Sequence, residues 1–476
     1  MGKKKDKITV SFVDEPASED VTGSLVYIST PRHNICVDVG LHQTNDRMDD
    51  FKINNRKFRE FKPKDIDLIF LTHNHGDHAF ELPVFYKQGC RAATVIPDGS
   101  LGTLKEMLRD CAYINERDIL VINAQNNKNY QPIYTEGDVH LTLEYVLERP
   151  MNQKIIVDDE IAFQFIPSGH LLGSCQVILY ITVDNVTKTI CVGGDLGNRI
   201  VKNHFVGKFE AVKACDLYVG EATYGDRPDI KTGNKERKND LNKLKSVIDT
   251  QIRDLKGKVL IPSFAQSRCQ QLALMIYELY KDEEWQPKVY IDSPLAISIF
   301  KEYENVLEGE EAELFKELLK WENLIFVKES EDSKSLVASK EPCCVISTSG
   351  MCQVGRVRHH IKSLISNPNA TILFVGFSTE GSLASMLKDS KRKFITIDTK
   401  EYTCKCSSYS LKSLSGHMPF AQLVDYYSSI NTPKIVLHHG STSAKETLAK
   451  ALKERFEKEC KTTRVVIANS SLKFNL

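Results

Sequence analysis

The chain has 476 residues, enough for two or three domains, and its 41% hydrophobic and 26% charged residues are the balance of an ordinary globular protein. Lysine plus arginine and aspartate plus glutamate both number 63, so the formal net charge is zero. That argues against a large non-specific grip on duplex nucleic acid, but not against a local basic groove, because field focusing depends on where the charges lie. No apolar run reaches the length of a membrane span, and no apolar stretch follows the lysines of the opening MGKKKDKITV as it would in a secretory signal. The expected location is cytoplasmic, with no membrane partner.

Short apolar runs alternate with helical patterns along most of the chain. Strands are predicted at Ile35–Val39, Ile66–Leu71, Thr189–Gly193, Leu217–Gly220, Val259–Ile261, Val289–Ile291, Cys344–Ser347, Thr371–Gly376 and Ile435–Leu437. A helix is predicted over Leu241–Leu255, where Leu241, Leu244, Val247, Ile248, Ile252 and Leu255 share a face and Gly257 follows as a stop. Others are predicted over Gln270–Tyr280 and over Ser443–Phe456, the latter opened by Ser443 and Glu446 as a capping box. The class is α/β. Two charged stretches, Asp226–Lys245 and Lys328–Glu341, read as surface segments, and the first marks a domain boundary. The thirteen cysteines are odd in number and irregularly spaced, and Cys36, Cys191 and Cys344 sit in apolar runs. They read as reduced, buried thiols, and Cys404 and Cys406, with no second pair nearby, as plain thiols rather than a zinc site.

The densest chemistry is Thr72-His73-Asn74-His75-Gly76-Asp77-His78, directly after the run Ile66–Leu71. Four ligand-type side chains fall within six residues, and a tight loop at the mouth of a strand aims them at one point. Imidazole and carboxylate suit zinc, at about 2.0–2.2 Å. Four ligands cannot complete two metal sites, so others must come from the ends of further runs. The candidates are Asp38, His170 in Ser168-Gly169-His170, Asp195 in Gly193-Gly194-Asp195, and His439 before Gly440. Taken singly, each reads equally well as a core-edge histidine, a turn aspartate or a helix cap.

An aspartate-ended strand, H-x-H-x-D-H, a later G-H, a later G-D and a final H-G resembles, in that order, the metallo-β-lactamase superfamily. Glu221-Ala222-Thr223-Tyr224-Gly225, Ser415-Gly416-His417 and His439-Gly440 are similar to the three sequence motifs of its β-CASP branch, the nucleic-acid-processing hydrolases. Ile261-Pro262-Ser263-Phe264-Ala265, Asp292-Ser293-Pro294-Leu295-Ala296 and Ser349-Gly350-Met351 are similar to segments of the domain inserted in that branch. The resemblance implies an αββα sandwich, residues 1–222 completed by 409–476, with an inserted β-CASP α/β domain over 223–408. It implies two zinc ions: one on His73, His75 and His170, one on Asp77, His78 and His439, with Asp195 bridging and Asp38 supporting the cluster through hydrogen bonds. Asp77, Glu221 and His417 are the implied catalytic residues.

These residue types suit phosphodiester hydrolysis. Two zincs about 3.5–4 Å apart acidify a bridging water and neutralise phosphate oxygens. His417, its pKa raised by Glu221, then protonates the leaving sugar oxygen. Ser415 and Gly416 are expected to hold a phosphate oxygen, and Ser349, Gly350, Arg268 and Arg356 to contact substrate. A histidine rather than an apolar residue at position 439 favours RNA over DNA within the branch; His438 is its rival for the metal and is expected to be packed instead. The implied function is a zinc-dependent ribonuclease, endonucleolytic on single-stranded RNA, with self-association into a homodimer as its relatives suggest. The alternatives are a non-catalytic scaffold subunit of an RNA-processing complex, and a DNA or small-molecule hydrolase on the same core. The chain departs from the pattern at Gly76, where a hydrophobic residue is usual, at Phe80 for glycine, at Met418-Pro419 for a small residue and an acid, and at Ser441 for glutamate.

Overall fold

The computed structural model describes residues 7–13, 22–44, 46–56, 58, 60–229, 233–376, 378, 381–389 and 391–476. The chain divides into two units: Met1–Arg199, Val206–Ile230 and His417–Leu476 form the first, and Ile200–Phe205 with Lys231–Gly416 form the second.

The first unit is built on two seven-stranded sheets. One runs Lys473–Asn475, Thr9–Phe12, Val26–Ser29, Asn34–Val37, Leu68–Phe70, Ala93–Pro97, Val146–Arg149. The other runs Arg464–Ile467, Lys434–Leu437, Leu217–Gly220, Val186–Val192, Cys175–Val183, Ile161–Pro167, Ile155–Ile156. Side chains alternate across each strand. Ile35, Val37, Leu68 and Phe70 from one sheet and Val177, Leu179, Ile190, Val192, Leu217 and Val219 from the other join in a single buried cluster. The residues between them point away: Cys36 and Ile69 pack beneath the helices Leu82–Lys87 and Leu101–Asn126. Ile178, Cys191 and Tyr218 pack beneath Phe420–Ser429 and Thr442–Lys458. Both faces of both sheets are therefore covered, which is why the strands read as unbroken apolar runs rather than alternating ones. The layers are helix, sheet, sheet, helix: the αββα sandwich. Each fully buried Leu or Phe in them is worth about 1.5–3 kcal/mol.

The second unit is a six-stranded sheet in the order Leu324–Phe326, Val289–Asp292, Cys343–Ser347, Lys258–Pro262, Ala370–Phe374, Ser407–Ser410, parallel at every pairing. Helices including Arg268–Tyr280, Pro294–Val306 and Val357–Leu364 connect its strands.

Element boundaries differ from the sequence reading where local chemistry intervenes. The strand predicted from Thr189 begins at Val186, because Asp184 and Asn185, both at positive φ, close a two-residue hairpin onto Cys175–Val183. The predicted helix Leu241–Leu255 starts at Asn234, where Glu236 caps the Gly233 amide, and gives way at Asp249 to a wider turn. The charged stretch before it is thus largely helical, and its Arg237 is buried, donating to Asn203 Oδ1 at 2.8 Å and Ser413 O at 2.9 Å. The second stretch holds the short helix Ser330–Ala338. The last long helix is Thr442–Lys458, capped not by Ser443 but by Ser441, whose Oγ accepts from Ala444 N. All thirteen cysteines are free thiols, including Cys404 and Cys406.

Candidate metal centre

Six loops at the carboxyl ends of first-unit strands converge here. The stretch after Leu68–Phe70 carries His73 and His75 and then turns into the four-residue helix Gly76–Ala79, which holds Asp77 and His78. Its backbone is pinned from outside: Ser24 N donates to Asp77 O, Val39 N to His78 O and Leu41 N to Gly76 O, at 2.7–2.9 Å. Asp38 and His439 both sit at positive φ, directing their side chains inward off the ends of their strands.

The resulting separations are regular. His73 Nε2 and His170 Nε2 both stand 3.5 Å from Asp195 Oδ2, and 3.2 and 3.3 Å from His75 Nδ1. On the other side, His78 Nε2 and His439 Nε2 stand 3.4 and 3.3 Å from Asp195 Oδ1, and 4.0 and 3.6 Å from Asp77 Oδ2. Donors at about 2.0–2.1 Å around a tetrahedral ion lie about 3.3–3.4 Å from one another, so the spacing is that of ligand edges. Each oxygen of Asp195 thus faces one group of donors. Buried His78 Nε2 and Asp195 Oδ1 have no hydrogen-bond partner among the described residues, and a cation between them would satisfy both. The donor set fits metal ions.

Hydrogen bonds fix which ring nitrogens are available. Asp38 Oδ1 accepts from Thr72 N at 2.7 Å, and its Oδ2 from Thr72 Oγ1 at 2.9 Å and His78 Nδ1 at 2.7 Å. With its hydroxyl hydrogen given to Asp38, Thr72 Oγ1 accepts from His73 Nδ1 at 3.0 Å. Both rings carry hydrogen on Nδ1, which leaves Nε2 as the inward nitrogen through which each can coordinate. Thr72 is a site residue that sequence reasoning missed, although it directly precedes the first histidine.

Burial, opposed by Asp195, keeps His439 down to about 3, and burial with the neighbouring rings holds His73 low, so both are neutral donors. Burial also works against the His78 imidazolium, but Asp195 and Asp38 outweigh it and raise its pKa. Burial lifts Asp77 to about 6, whereas the surrounding rings hold Asp195 well below the carboxylate range against its own burial.

His417 and Glu221 stand at the edge of this centre. Glu221 Oε1 accepts from Leu196 N at 2.6 Å, and its Oε2 lies 3.4 Å from His417 Nδ1. Tyr427 donates to the Glu221 carbonyl at 2.7 Å, a support the sequence did not reveal. His417 is stitched to the Asp195 loop by pairing with Gly197 and by Met418 N donating to Leu196 O. Burial would lower its pKa, but Glu221 and Asp195 lift it to about 9. His438 packs against Phe12 and contacts Ser24 Oγ, away from the donors.

The expected substrate residues fare differently. Arg356 is tied to Asp292 Oδ1 at 2.8 Å and to the carbonyls of Val327 and Lys328, so its guanidinium serves the architecture of the second unit. His360 also bonds Asp292, at 2.7 Å. Arg268 Nη1 donates to Gln271 Oε1 and lines a cavity of the second unit with Gly350. Ser349 bonds the Val354 carbonyl, and Ser415 and Gly416 lead directly into His417.

A fold with donors gathered at the strand ends of an αββα sandwich defines a metal-dependent hydrolase. Residues 20–105 match the model of the metallo-beta-lactamase superfamily, residues 269–387 that of the Beta-Casp domain, and residues 401–463 that of the Zn-dependent metallo-hydrolase RNA specificity domain. The chain belongs to the β-CASP family of the metallo-β-lactamase superfamily. It is 26% identical to Ribonuclease TTHA0252 of Thermus thermophilus, over 92% of this chain and 94% of that one. It is 25% identical to Transcription termination factor FttA of Methanocaldococcus jannaschii, over 95% of this chain and 70% of that one. A crystal structure of a protein of unknown function from Enterococcus faecalis shares the fold, with a TM-score of 0.54 at 12% identity over 99% of this chain and 100% of that one. No helix among the described residues is long and apolar enough to cross a membrane.

Proposed function

We propose that this protein is a zinc-dependent ribonuclease that cuts single-stranded RNA endonucleolytically in the cytoplasm. The observation that carries the reading is the pairing of His417 with Glu221 beside two donor groups that share Asp195. The first group, His73, His75 and His170, would hold one zinc, and Asp77, His78 and His439 the other, with one oxygen of Asp195 toward each. Zinc bound there acidifies water and neutralises phosphate oxygens.

The chain's own residues do the rest. Asp38 and Thr72 hold the rings of His78 and His73 in the tautomers that keep Nε2 open. Glu221, itself fixed by Leu196 N, keeps a proton on His417 Nδ1 and orients the ring. His417 then protonates the departing sugar oxygen. Ser415 and Gly416 hold a phosphate oxygen. Residues 1–222 with 409–476 form the catalytic domain in this reading, and 223–408 the β-CASP domain. The ribonuclease named among the relatives supports RNA as substrate, as does the histidine at position 439.

Incubation with end-labelled single-stranded RNA and DNA of one sequence, with and without chelator, tests the proposal. Internal RNA fragments that vanish with chelator are expected. A protein that holds zinc and leaves RNA whole refutes it.

A further inference from the structure

Besides its six-stranded sheet, the second unit holds a separate two-stranded ribbon. It joins Phe394–Ile397 to Lys400–Thr403 through Asp398 and Thr399, with Phe394 opposite Thr403 and Ile397 opposite Lys400. Asp398 takes the positive φ that so short a turn requires. Side chains alternate across it. Ile395 and Ile397 are 3% and 2% exposed and pack into the buried cluster around Ile361 and Ile372, with Tyr402 against it. Phe394 lies on the opposite face and is 53% exposed.

The unpaired charges at that end of the ribbon are of one sign. Lys391 and Lys393 precede Phe394, and Lys405 follows Cys404, whose amide donates to the Lys393 carbonyl at 2.8 Å. All three lysines are exposed, and no carboxylate among the described residues pairs with them. The neighbouring carboxylates are already engaged: Asp389 by Arg392 at 3.4 Å, and Asp398 by Arg358 and Lys362 from the helix Val357–Leu364. Glu401 stands further along the ribbon, opposite Thr396. In a chain of zero net charge, this end of the ribbon is therefore a local excess of positive charge. Lysines alone would do no more than keep an open edge from pairing with another strand. An exposed phenylalanine among them works against that purpose, since its ring is itself a contact surface.

We propose that this end of the ribbon is a docking surface for single-stranded RNA: an unpaired base stacks on Phe394, and Lys391, Lys393 and Lys405 hold the flanking phosphates. Every base has a face that stacks on an aromatic ring, so a platform of this kind grips a strand without regard to sequence. The cations supply the charge that the phosphates complement. The inference rests on the ribonuclease reading for its choice of polymer.

The test uses the full-length protein with chelator present, so that binding is read without cleavage. The probe is a fluorescent oligouridylate of about ten nucleotides, followed by anisotropy. Phe394→Ala should weaken binding about 5- to 100-fold, Phe394→Leu should do the same, and Phe394→Trp should bind like the parent. Stacking predicts that order, whereas plain apolar contact would spare the leucine variant. The double variant Lys393→Gln, Lys405→Gln should reduce the slope of log affinity against log salt by about 1.4, which lysines that only guard an edge would not do. These side chains are exposed, so thermal midpoints should stay at the parent value and report folding separately. Phe394→Ala or Phe394→Leu binding like the parent, a folded Phe394→Trp that loses binding, an unchanged salt slope, or a parent that binds no probe overturns the proposal. Cleavage of RNA by the zinc-loaded parent, with binding indifferent to Phe394, removes the docking surface and leaves the ribonuclease reading. Phe394-dependent binding in a protein that fails to cut RNA once zinc is restored does the reverse.

Discussion

Replacing Asp38 by asparagine changes one atom and reverses a chain of hydrogen bonds. The Thr72 amide can only donate, so the asparagine oxygen must take the place of Oδ1, 2.7 Å from it. The new NH2 group then occupies the position of Oδ2, facing His78 Nδ1 and Thr72 Oγ1. His78 Nδ1 must become an acceptor, which moves its hydrogen to Nε2. Thr72 Oγ1 accepts from the new amide and donates to His73 Nδ1, which moves that hydrogen to Nε2 as well. One substitution thereby blocks a lone pair in each donor group. Loss of one supporting partner costs metal affinity about 10- to 100-fold, so each zinc should be held about 10- to 100-fold more weakly, and the overall constant for binding both should fall by the product, about 100- to 10,000-fold. The shape is kept, so the metal-free protein should unfold near the parent temperature. Asp38→Ala, by contrast, strands buried donors at about 1–3 kcal/mol each and should lower that temperature. Competition with a chromophoric chelator measures the affinity. A folded Asp38→Asn protein that holds zinc as tightly as the parent refutes the tautomer argument.

Other consequences can be measured directly. His417→Ala should slow RNA cleavage about 100- to 10,000-fold while zinc content stays at the parent level. In metal-stripped protein, burial opposes the His417 charge but Glu221 and Asp195 raise its pKa from 6.5 to about 9. Its stabilisation is therefore full below about pH 6.5 and lost as pH rises through about 9, and His417→Gln should flatten thermal midpoints across that window. His78, raised by Asp195 and Asp38 despite burial, must lose a proton to coordinate, so zinc uptake should acidify a weakly buffered solution. Ser441→Ala should cost about 0.5–2 kcal/mol in denaturant unfolding through loss of the helix cap.

The departures at positions 76 and 80 prove to be neighbours. A Cβ on Gly76 would lie 2.9 Å from Cδ2 and 3.1 Å from Cε2 of Phe80, which is 8% exposed. The ring fills the space that a larger residue at 76 would take, so the two departures are one exchange of volume beneath the metal loop. Gly76→Leu and Phe80→Gly should each destabilise the protein, the first by about 1–3 kcal/mol, and the double variant should recover part of the loss.

What the sequence made legible was whatever is local. Strands such as Leu217–Gly220 stood out because both their faces are buried, and the loop His73–His78 because its ligands are consecutive. The strands Ile161–Pro167 and Cys175–Val183 did not stand out, since Gln164, Tyr180 and Thr182 dilute their outer edge and the turn from the second into Val186–Val192 is a plain Asp-Asn pair. The family resemblance marked Asp38 as a support of the cluster, but its partners Thr72 and His78, 34 and 40 residues away, emerge only from packing. Arg356 illustrates the same limit in reverse. Its charge is plain, but the Asp292 that neutralises it is 64 residues away, and only folding reveals that the guanidinium is taken.

The threading of the first unit bears on when activity can begin. Its sheets are closed by the last part of the chain: Lys434–Leu437 seats beside Leu217–Gly220, and Lys473–Asn475 beside Thr9–Phe12. His417 and His439 arrive with that segment. A chain growing from the ribosome has the whole inserted unit made before either histidine exists, and domains fold as they emerge. Until the final stretch is released, one donor group lacks a ligand and the acid lacks its imidazole. On the proposed roles of His417 and His439, synthesis order alone would hold a nascent hydrolase silent beside the messenger that encodes it.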